Sequence, residues 1–279
     1  MLRVRLLCPI SGSVYERKVR LFFLKEADVS TPVTVSAAVV IPFHRPQLKD
    51  LEVVALARCR KVLGSHPRYL AIPMGMDTAA LRAIDPDLVV LGFDPAWFRS
   101  AVGYNLLCRS TCFYRPFAGH DFLLLYQLDA YVFSDQLSAW CGRGFDYIGA
   151  PWLHHEFQAH SRKTWTKSPL IRPFLRRVGN GGFSLRRVRT LRRASFWLWP
   201  LSWLLRSIPE DVFWAHVGAR LWPGFRIAGV EEAVRFAWDA APEECHDLCA
   251  GKKPFGCHAW NTEHVGFWKD KIDEPVAQS

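Results

Sequence analysis

Hydrophobic and polar positions alternate between two periods along this chain. The residues from 121 to 133 (Asp121-Phe-Leu-Leu-Leu-Tyr-Gln-Leu-Asp-Ala-Tyr-Val-Phe133) are almost wholly apolar and too short for a long helix, which predicts a buried strand. Residues 33–43 are β-branched and apolar and predict another strand, stopped by Pro42 and followed by the turn-like His44, Arg45 and Pro46. Leu48, Leu51, Val54, Ala55, Ala57, Arg58, Val62 and Leu63 then fall at helical spacing, and residues 68–73 and 88–92 read as two further strands. Strands alternating with helices imply an α/β fold with a mostly parallel central sheet flanked by helices.

The second half is less regular. Residues 94–117 read as a loop that becomes a helix carrying Tyr104, Asn105, Leu106, Leu107 and Arg109, and residues 135–141 as a short helix. Residues 145–152 suggest a strand running into an ordered loop. Residues 153–177 are polar and rich in His, Lys and Arg, as in a lid that orders over a ligand. Gly179, Asn180, Gly181 and Gly182 form a tight turn feeding a strand, with a helix at 186–193 after it. Residues 1–30 show no period and are expected to be an N-terminal accessory segment. The remainder, 31–279, reads as a single domain whose halves meet near residue 150.

With 279 residues, 50% hydrophobic and 22% charged, the chain can bury a substantial core, which excludes disorder as its main theme. A net charge of +10 favours an anionic partner: a nucleotide diphosphate, a nucleic acid or an anionic membrane surface. No basic helix with interleaved stacking aromatics is present, which argues against nucleic acid. The eight cysteines are scattered, as expected for reduced thiols in a cytoplasmic protein. The cluster Cys245, His246, Cys249, Cys257 and His258 lacks the paired spacing of common zinc sites. The N-terminus lacks the sustained apolar core of a signal peptide or anchor. Residues 194–205 are very apolar yet shorter than the ~20 residues that span a bilayer, and they contain Pro200. Flanked by Arg192, Arg193 and Arg206, this segment either lies peripherally on an anionic leaflet, covers a lipid-like acceptor, or packs into the core.

Four signals carry chemistry. Asp129 is a carboxylate at the end of a buried strand, where ligands gather in open α/β sheets, and it suits a divalent cation that carries phosphate; the alternative is a helix cap. Gly181 and Gly182 let the main chain approach a ligand, and Asn180 supplies the donor and acceptor a sugar hydroxyl requires; the alternative is a plain hairpin. Glu210 and Asp211 open a helix, where acids serve as caps, or one of them takes a proton from an attacking hydroxyl. His258 suits Mn²⁺ and Trp260 a sugar face, although a lone histidine is more often structural.

Together these residues resemble a known pattern. Tyr104-Asn105, Tyr126-Gln-Leu-Asp-Ala-Tyr-Val-Phe133, Tyr147-Ile-Gly-Ala-Pro-Trp152, Gly179-Asn-Gly-Gly-Phe-Ser-Leu-Arg186 and Pro254-Phe-Gly-Cys-His-Ala-Trp260 are similar to a domain family of unknown function, regarded as glycosyltransferases, over roughly residues 33–270. At one remove, the order of motifs resembles GT-A fold transferases of the Fringe and β-1,3-galactosyltransferase type. That resemblance implies a GT-A-like nucleotide-diphospho-sugar transferase fold. Residues 31–150 would form its nucleotide-binding half and 151–279 its acceptor-binding half. It makes Asp211 the base of an inverting reaction, Asp129 and His258 the ligands of Mn²⁺ or Mg²⁺, and the Val39-Val-Ile-Pro42 strand a neighbour of the nucleotide base. The second acid of the family's Asp-x-Asp pair is missing here, with Gln127 or Tyr131 in its place.

The resulting expectation is a transferase that moves a sugar from a nucleotide-diphosphate sugar to a hydroxyl on a glycan or lipid-linked acceptor. Asp211 and Glu210 are the catalytic candidates. Pro42, Asn105, Arg109, Gln127, Asn180, Gly181 and Gly182 are candidates for the donor, and Trp152, Trp214 and Trp260 for the acceptor. The competing readings are a non-catalytic module binding a glycan or anionic membrane, and a nucleotidyltransferase. The latter is weakened by the lack of a glycine-rich loop with a phosphate-binding Lys after the first strand.

Overall fold

A computed structural model describes residues 6–7, 14–15, 35–153 and 177–272. The accessory segment and the lid expected at 1–30 and 153–177 fall almost entirely outside the described residues. The first two strands, β1 (Leu6–Leu7) and β2 (Val14–Tyr15), pair antiparallel with each other.

The core of the fold is a six-stranded sheet. In chain order its members are β3 (Ala37–Pro42), β4 (Arg68–Pro73), β5 (Val89–Phe93), β6 (Phe122–Tyr126), β8 (Tyr147–Ile148) and β11 (Phe183–Arg187), arranged in space as β5-β4-β3-β6-β11-β8. The contacts β5 to β4, β4 to β3 and β3 to β6 are parallel, whereas β11 runs antiparallel to both β6 and β8. The expected α/β class with a mostly parallel sheet is what the chain adopts.

Alternation along the central strands explains why both faces are covered. Val39, Ile41, Leu124 and Tyr126 point into one hydrophobic cluster, and Ala38, Val40, Leu123 and Leu125 into the other. Strands buried on both sides read as continuous apolar runs, so they stood out in the sequence. The helix Asp50–Leu63 covers the first face through Ala55, Leu56 and Cys59. The helices Ala101–Cys108 and Val188–Trp197 cover the second through Leu106, Leu107, Leu191 and Ala194. Since β8 and β11 lie on either side of residue 150 and join one sheet, the sheet spans both halves of the chain.

One expected strand is broken. Residues 121–133 do not run straight: β6 ends at Tyr126, the chain turns with Ala130 N donating to Gln127 O at 2.9 Å, and β7 (Tyr131–Val132) joins a different sheet. Gln127 and Asp129 cannot stay in a strand that is buried on both faces, because each would lose water without a partner. The Tyr126 hydroxyl fixes the bend by donating to Ala130 O at 3.1 Å. The second sheet has the order β12 (Ala237–Trp238), β13 (Gly256–Cys257), β7, while β9 (Pro151–Trp152) pairs with β10 (Arg177–Val178).

The apolar segment 194–205 forms the end of Val188–Trp197 and a second short helix, Trp199–Leu204, with Pro200 in its first turn, where the missing N–H costs nothing. Among the described residues no helix is long and apolar enough to cross a membrane.

Candidate functional site

The bend after β6 places the first group of polar side chains. Between β3 and β6 the strand order reverses, since β3 leads outward to β4 and β5 on one side while β6 lies on the other. Such a reversal leaves a crevice at the carboxyl ends of the strands. A cavity of about 1310 Å³ opens there, lined among others by Pro42, Arg99, Tyr104, Gln127, Asp129, Trp260 and Lys269.

A second pair of elements brings two partners from far along the chain. Strands β12 and β13 run parallel with Trp238 opposite Cys257, so the next residues, Asp239 and His258, emerge side by side. His258 is thereby held between carboxylates. Its Nε2 lies 3.1 Å from Asp129 Oδ1, and its Nδ1 lies 3.1 Å from Asp239 Oδ1. Gln127 Oε1 lies 3.2 Å from His258 Nε2, and the Gln127 amide donates to the Tyr104 hydroxyl at 3.1 Å. Asn180 Nδ2 donates to Asp239 Oδ2 at 2.6 Å.

The glycine turn locks these pieces together. Gln127 N donates to Gly182 O at 2.8 Å, tying the turn to the end of β6. Asn180 adopts a positive φ of 46°, a conformation asparagine tolerates better than most residues, and its Oδ1 accepts from Gly182 N at 2.9 Å and Phe183 N at 3.3 Å. A side chain at Gly182 would overlap the His258 ring and come within 2.8 Å of Gln127 Oε1, and one at Gly181 would overlap the Glu210 carboxylate. The two glycines are thus required by close approach.

One residue along the turn, Gly181 N donates to Asp211 Oδ2 at 3.2 Å, and Val212 N donates to Asp211 Oδ1 at 2.8 Å. Its neighbour Glu210 forms a buried ion pair with Arg186 at 2.7 Å, and the Glu210 backbone N–H donates to Asn105 Oδ1 at 3.0 Å.

Electrostatics separates these acids. Burial opposes charge on His258, but the carboxylates of Asp129 and Asp239 on its two nitrogens outweigh that and hold the imidazole well above its usual range. Burial also works against the Asp129 carboxylate, yet His258 beside it leaves the group below its ordinary value. Asp211 is pushed up, chiefly by burial, which the N–H donors of Val212 and Gly181 only partly counter. Glu210 is pushed up by burial too, despite Arg186.

The arrangement fits a divalent cation in a limited way. Asp129 Oδ1 is buried and faces His258 Nε2 at 3.1 Å. Carboxylate oxygen and imidazole nitrogen are a donor set that suits Mn²⁺, which would have to displace the proton that Asp129 and Asp239 favour on His258. Among the described residues no three His, Cys, Asp or Glu side chains are grouped to hold a metal ion, and Asp239 lies on the opposite nitrogen of His258. A cation at Asp129 and His258 would therefore need further oxygens from a ligand.

Of the residues singled out in the sequence, Pro42, Gln127, Asp129 and Trp260 line the cavity. His258, Asn180, Gly181, Gly182 and Asp211 gather about the glycine turn, and Glu210 and Asn105 adjoin it. The other three are buried in the packing. Arg109 is fully buried, donates to Leu205 O and Arg206 O, and stacks over Phe213 at 4.8 Å, so its charge is spent on closing a helix end. Trp214 is fully buried with its indole N–H directed to Cys108 O, out of reach of an acceptor. Trp152 is buried beside the turn, its ring packed on Gly179, clustered with Val212 and stacked on His216 at 6.0 Å, so it supports the turn. Asp239, Arg99 and Lys269 were not anticipated. Asp239 follows the apolar run Phe236-Ala237-Trp238, the same acid-after-strand signal that marked Asp129.

The model of the family described as "Protein of unknown function (DUF5672)" matches residues 87–258. None of the curated proteins matches the chain in sequence. Among solved structures, the galactosyltransferase LgtC in complex with donor and acceptor sugar analogs is similar at 12% identity and a TM-score of 0.49, covering 86% of this chain and 98% of that one. Mouse xyloside xylosyltransferase 1 in its apo form is similar at 10% identity and a TM-score of 0.48, covering 81% and 98%. Core-mannan synthase A from Aspergillus fumigatus, in its Mn/GDP form, is similar at 9% identity and a TM-score of 0.43, covering 77% and 79%. The sugars, nucleotide and manganese named there belong to those proteins.

Proposed function

We propose that this chain, which belongs to the DUF5672 family of unknown function, is a GT-A-type glycosyltransferase that moves a sugar from a nucleoside-diphosphate sugar to a hydroxyl of a glycan or lipid-linked acceptor. The observation that carries the reading is the placement of Asp129: it lines the cavity at the strand-order reversal and at the same time faces His258, which the glycine turn holds in place.

In this reading the nucleotide lies beside Pro42 and Tyr104, where the end of β3 and the helix Ala101–Cys108 form the cavity wall. Arg99 and Lys269 are exposed cations in the cavity lining and would face the diphosphate. Asp129 and His258 would hold Mn²⁺ or Mg²⁺, which when bound neutralises charge on the leaving diphosphate. Gln127 keeps the His258 ring oriented, and Trp260, buried with its indole N–H donating to Ala130 O at 3.2 Å, closes the cavity lining rather than offering a free ring face to a sugar.

Asp211 is the proton acceptor for the attacking hydroxyl. Burial raises its affinity for a proton, which suits a general base, and the two backbone donors fix its orientation. Transfer from the face opposite the leaving group would invert the anomeric centre. Glu210 contributes by holding Arg186 and the start of this short helix rather than by touching substrate.

Calorimetry of nucleoside diphosphates with and without Mn²⁺ tests the donor site, and Asp129→Ala should weaken binding only when Mn²⁺ is present. At a hundredfold excess over the dissociation constant a true ligand adds ~2.7 kcal/mol of stability. Asp211→Asn should abolish transfer while leaving nucleotide affinity intact. Absence of nucleotide binding in the wild type would refute the donor site, and full turnover by Asp211→Asn would refute the base.

A further inference from the structure

We propose that the outward face of the helices Val188–Trp197 and Trp199–Leu204 docks this protein on an anionic membrane surface. This inference does not depend on the sugar-transfer reading.

The face is an exposed apolar patch on a rigid support. Trp197 is 70% exposed, Leu204 72%, Phe196 53% and Trp203 49%, all within nine residues of chain. The opposite side of the same helices is anchored: Val188, Leu191 and Ala194 are in the core, and Trp199 meets Trp97 edge-on at 6.4 Å. Arg109 donates to the carbonyls of Leu205 and Arg206 and so pins the end of the second helix. The exposed rings are therefore held out by the fold. Contiguous exposed patches of this kind with a polar rim mark interaction surfaces.

The rim selects the partner. Arg189, Arg193 and Arg206 are exposed around the rings, and Arg192 is half-buried. No Asp or Glu occurs from residue 188 to 209, and the next acid, Glu210, is buried against Arg186. Asp146, which accepts a hydrogen bond from Thr190 of the first helix, is already paired with Arg187. Of charged groups, residues 188–209 thus contribute only cations to the patch. A symmetric contact with a second copy would set these arginines against one another. An anionic lipid surface offers phosphates to the arginines, and its boundary layer takes indole rings with their apolar body inward and their N–H in water. Since no described helix can span a bilayer, the contact is one of lying on the surface.

Co-sedimentation of the full chain with vesicles tests this, comparing phosphatidylcholine alone with phosphatidylcholine containing phosphatidylglycerol. Binding is expected only to the anionic vesicles and should fall as salt shortens the screening length. Each of Arg189→Gln, Arg193→Gln and Arg206→Gln should weaken it about fivefold, the equivalent of ~1 kcal/mol per charge near a surface. Trp197→Ser with Leu204→Ser should abolish it, with circular dichroism confirming an unchanged fold. Equal binding to neutral vesicles, no binding to either, or unaltered binding by these variants would overturn the proposal. Self-association that disappears in Trp197→Ser would reassign the face to a second copy and also overturn it.

Discussion

Glu210→Ala separates the structural acid of the Glu210-Asp211 pair from its neighbour. Glu210 Oε1 lies 2.7 Å from Arg186 Nη2, and the two side chains are 5% and 0% exposed. Removing the carboxylate leaves the guanidinium buried with only neutral acceptors: Ser184 Oγ at 3.0 Å, Gly181 O at 3.2 Å and the Tyr114 hydroxyl at 3.3 Å. Breaking a buried pair from one side costs about 3–5 kcal/mol. For a chain of this size each kcal/mol moves the melting midpoint by roughly 2–4 °C, so the midpoint should fall by roughly 6–20 °C. Burial pushes the Glu210 carboxyl upward in spite of Arg186, whereas Glu210 holds the Arg186 guanidinium above its ordinary value, so the cost of burying charge falls on the carboxylate. Arg186→Met combined with Glu210→Leu should therefore recover most of the loss, because an apolar pair of similar volume avoids the cost of burying charge. Urea unfolding followed by tryptophan fluorescence measures both variants. A loss below about 1 kcal/mol in the single variant, or a double variant worse than the single, would refute the argument that charge burial dominates here.

Gly182→Ala should disturb the cation and donor site more than the fold, since the added methyl meets the His258 ring and Gln127; a cost of about 1–3 kcal/mol is expected from overpacking. Calorimetry should show loss of the Mn²⁺-dependent part of nucleoside-diphosphate binding, and wild-type binding would contradict the close packing. His258 contributes a pH-dependent part of stability. Its folded-state proton affinity is raised above the ordinary 6.5, so the contribution is complete below pH 6.5 and is lost as pH rises through the higher folded value. In the presence of a chelator the stability gap between wild type and His258→Gln should shrink as pH is raised from 6.5, and a gap that widens would reverse the sign.

Much of the frame was legible in the sequence. Strands β3, β4 and β6 lie on or within the predicted runs, because a strand covered on both faces must be apolar throughout and needs no knowledge of its neighbours to be recognised. Asp129, His258 and the Gly181-Gly182 pair stood out for a related reason: a charge, an imidazole or two adjacent glycines in such surroundings has to be justified by a specific contact. The bend at Gln127 was not legible, since apolar residues continue to Phe133 and only the pairing of β7 with β13 shows that the chain has changed sheets. Nor could local pattern say which acids and indoles are exposed. Arg109 and Trp214 look like ligands by residue type, and only long-range packing, against Phe213 and Cys108, buries them.

Short-range periodicity thus determined the elements, their class and the chemically unusual positions, because these depend on solvation within a few residues. Tertiary structure alone decided that Asp239, absent from every motif, would stand beside His258, that Glu210 would be consumed by Arg186, and that Trp197 and Trp203 would face outward. Each of these depends on which groups from distant parts of the chain arrive at the same place, and burial and charge compensation there set what each side chain can do.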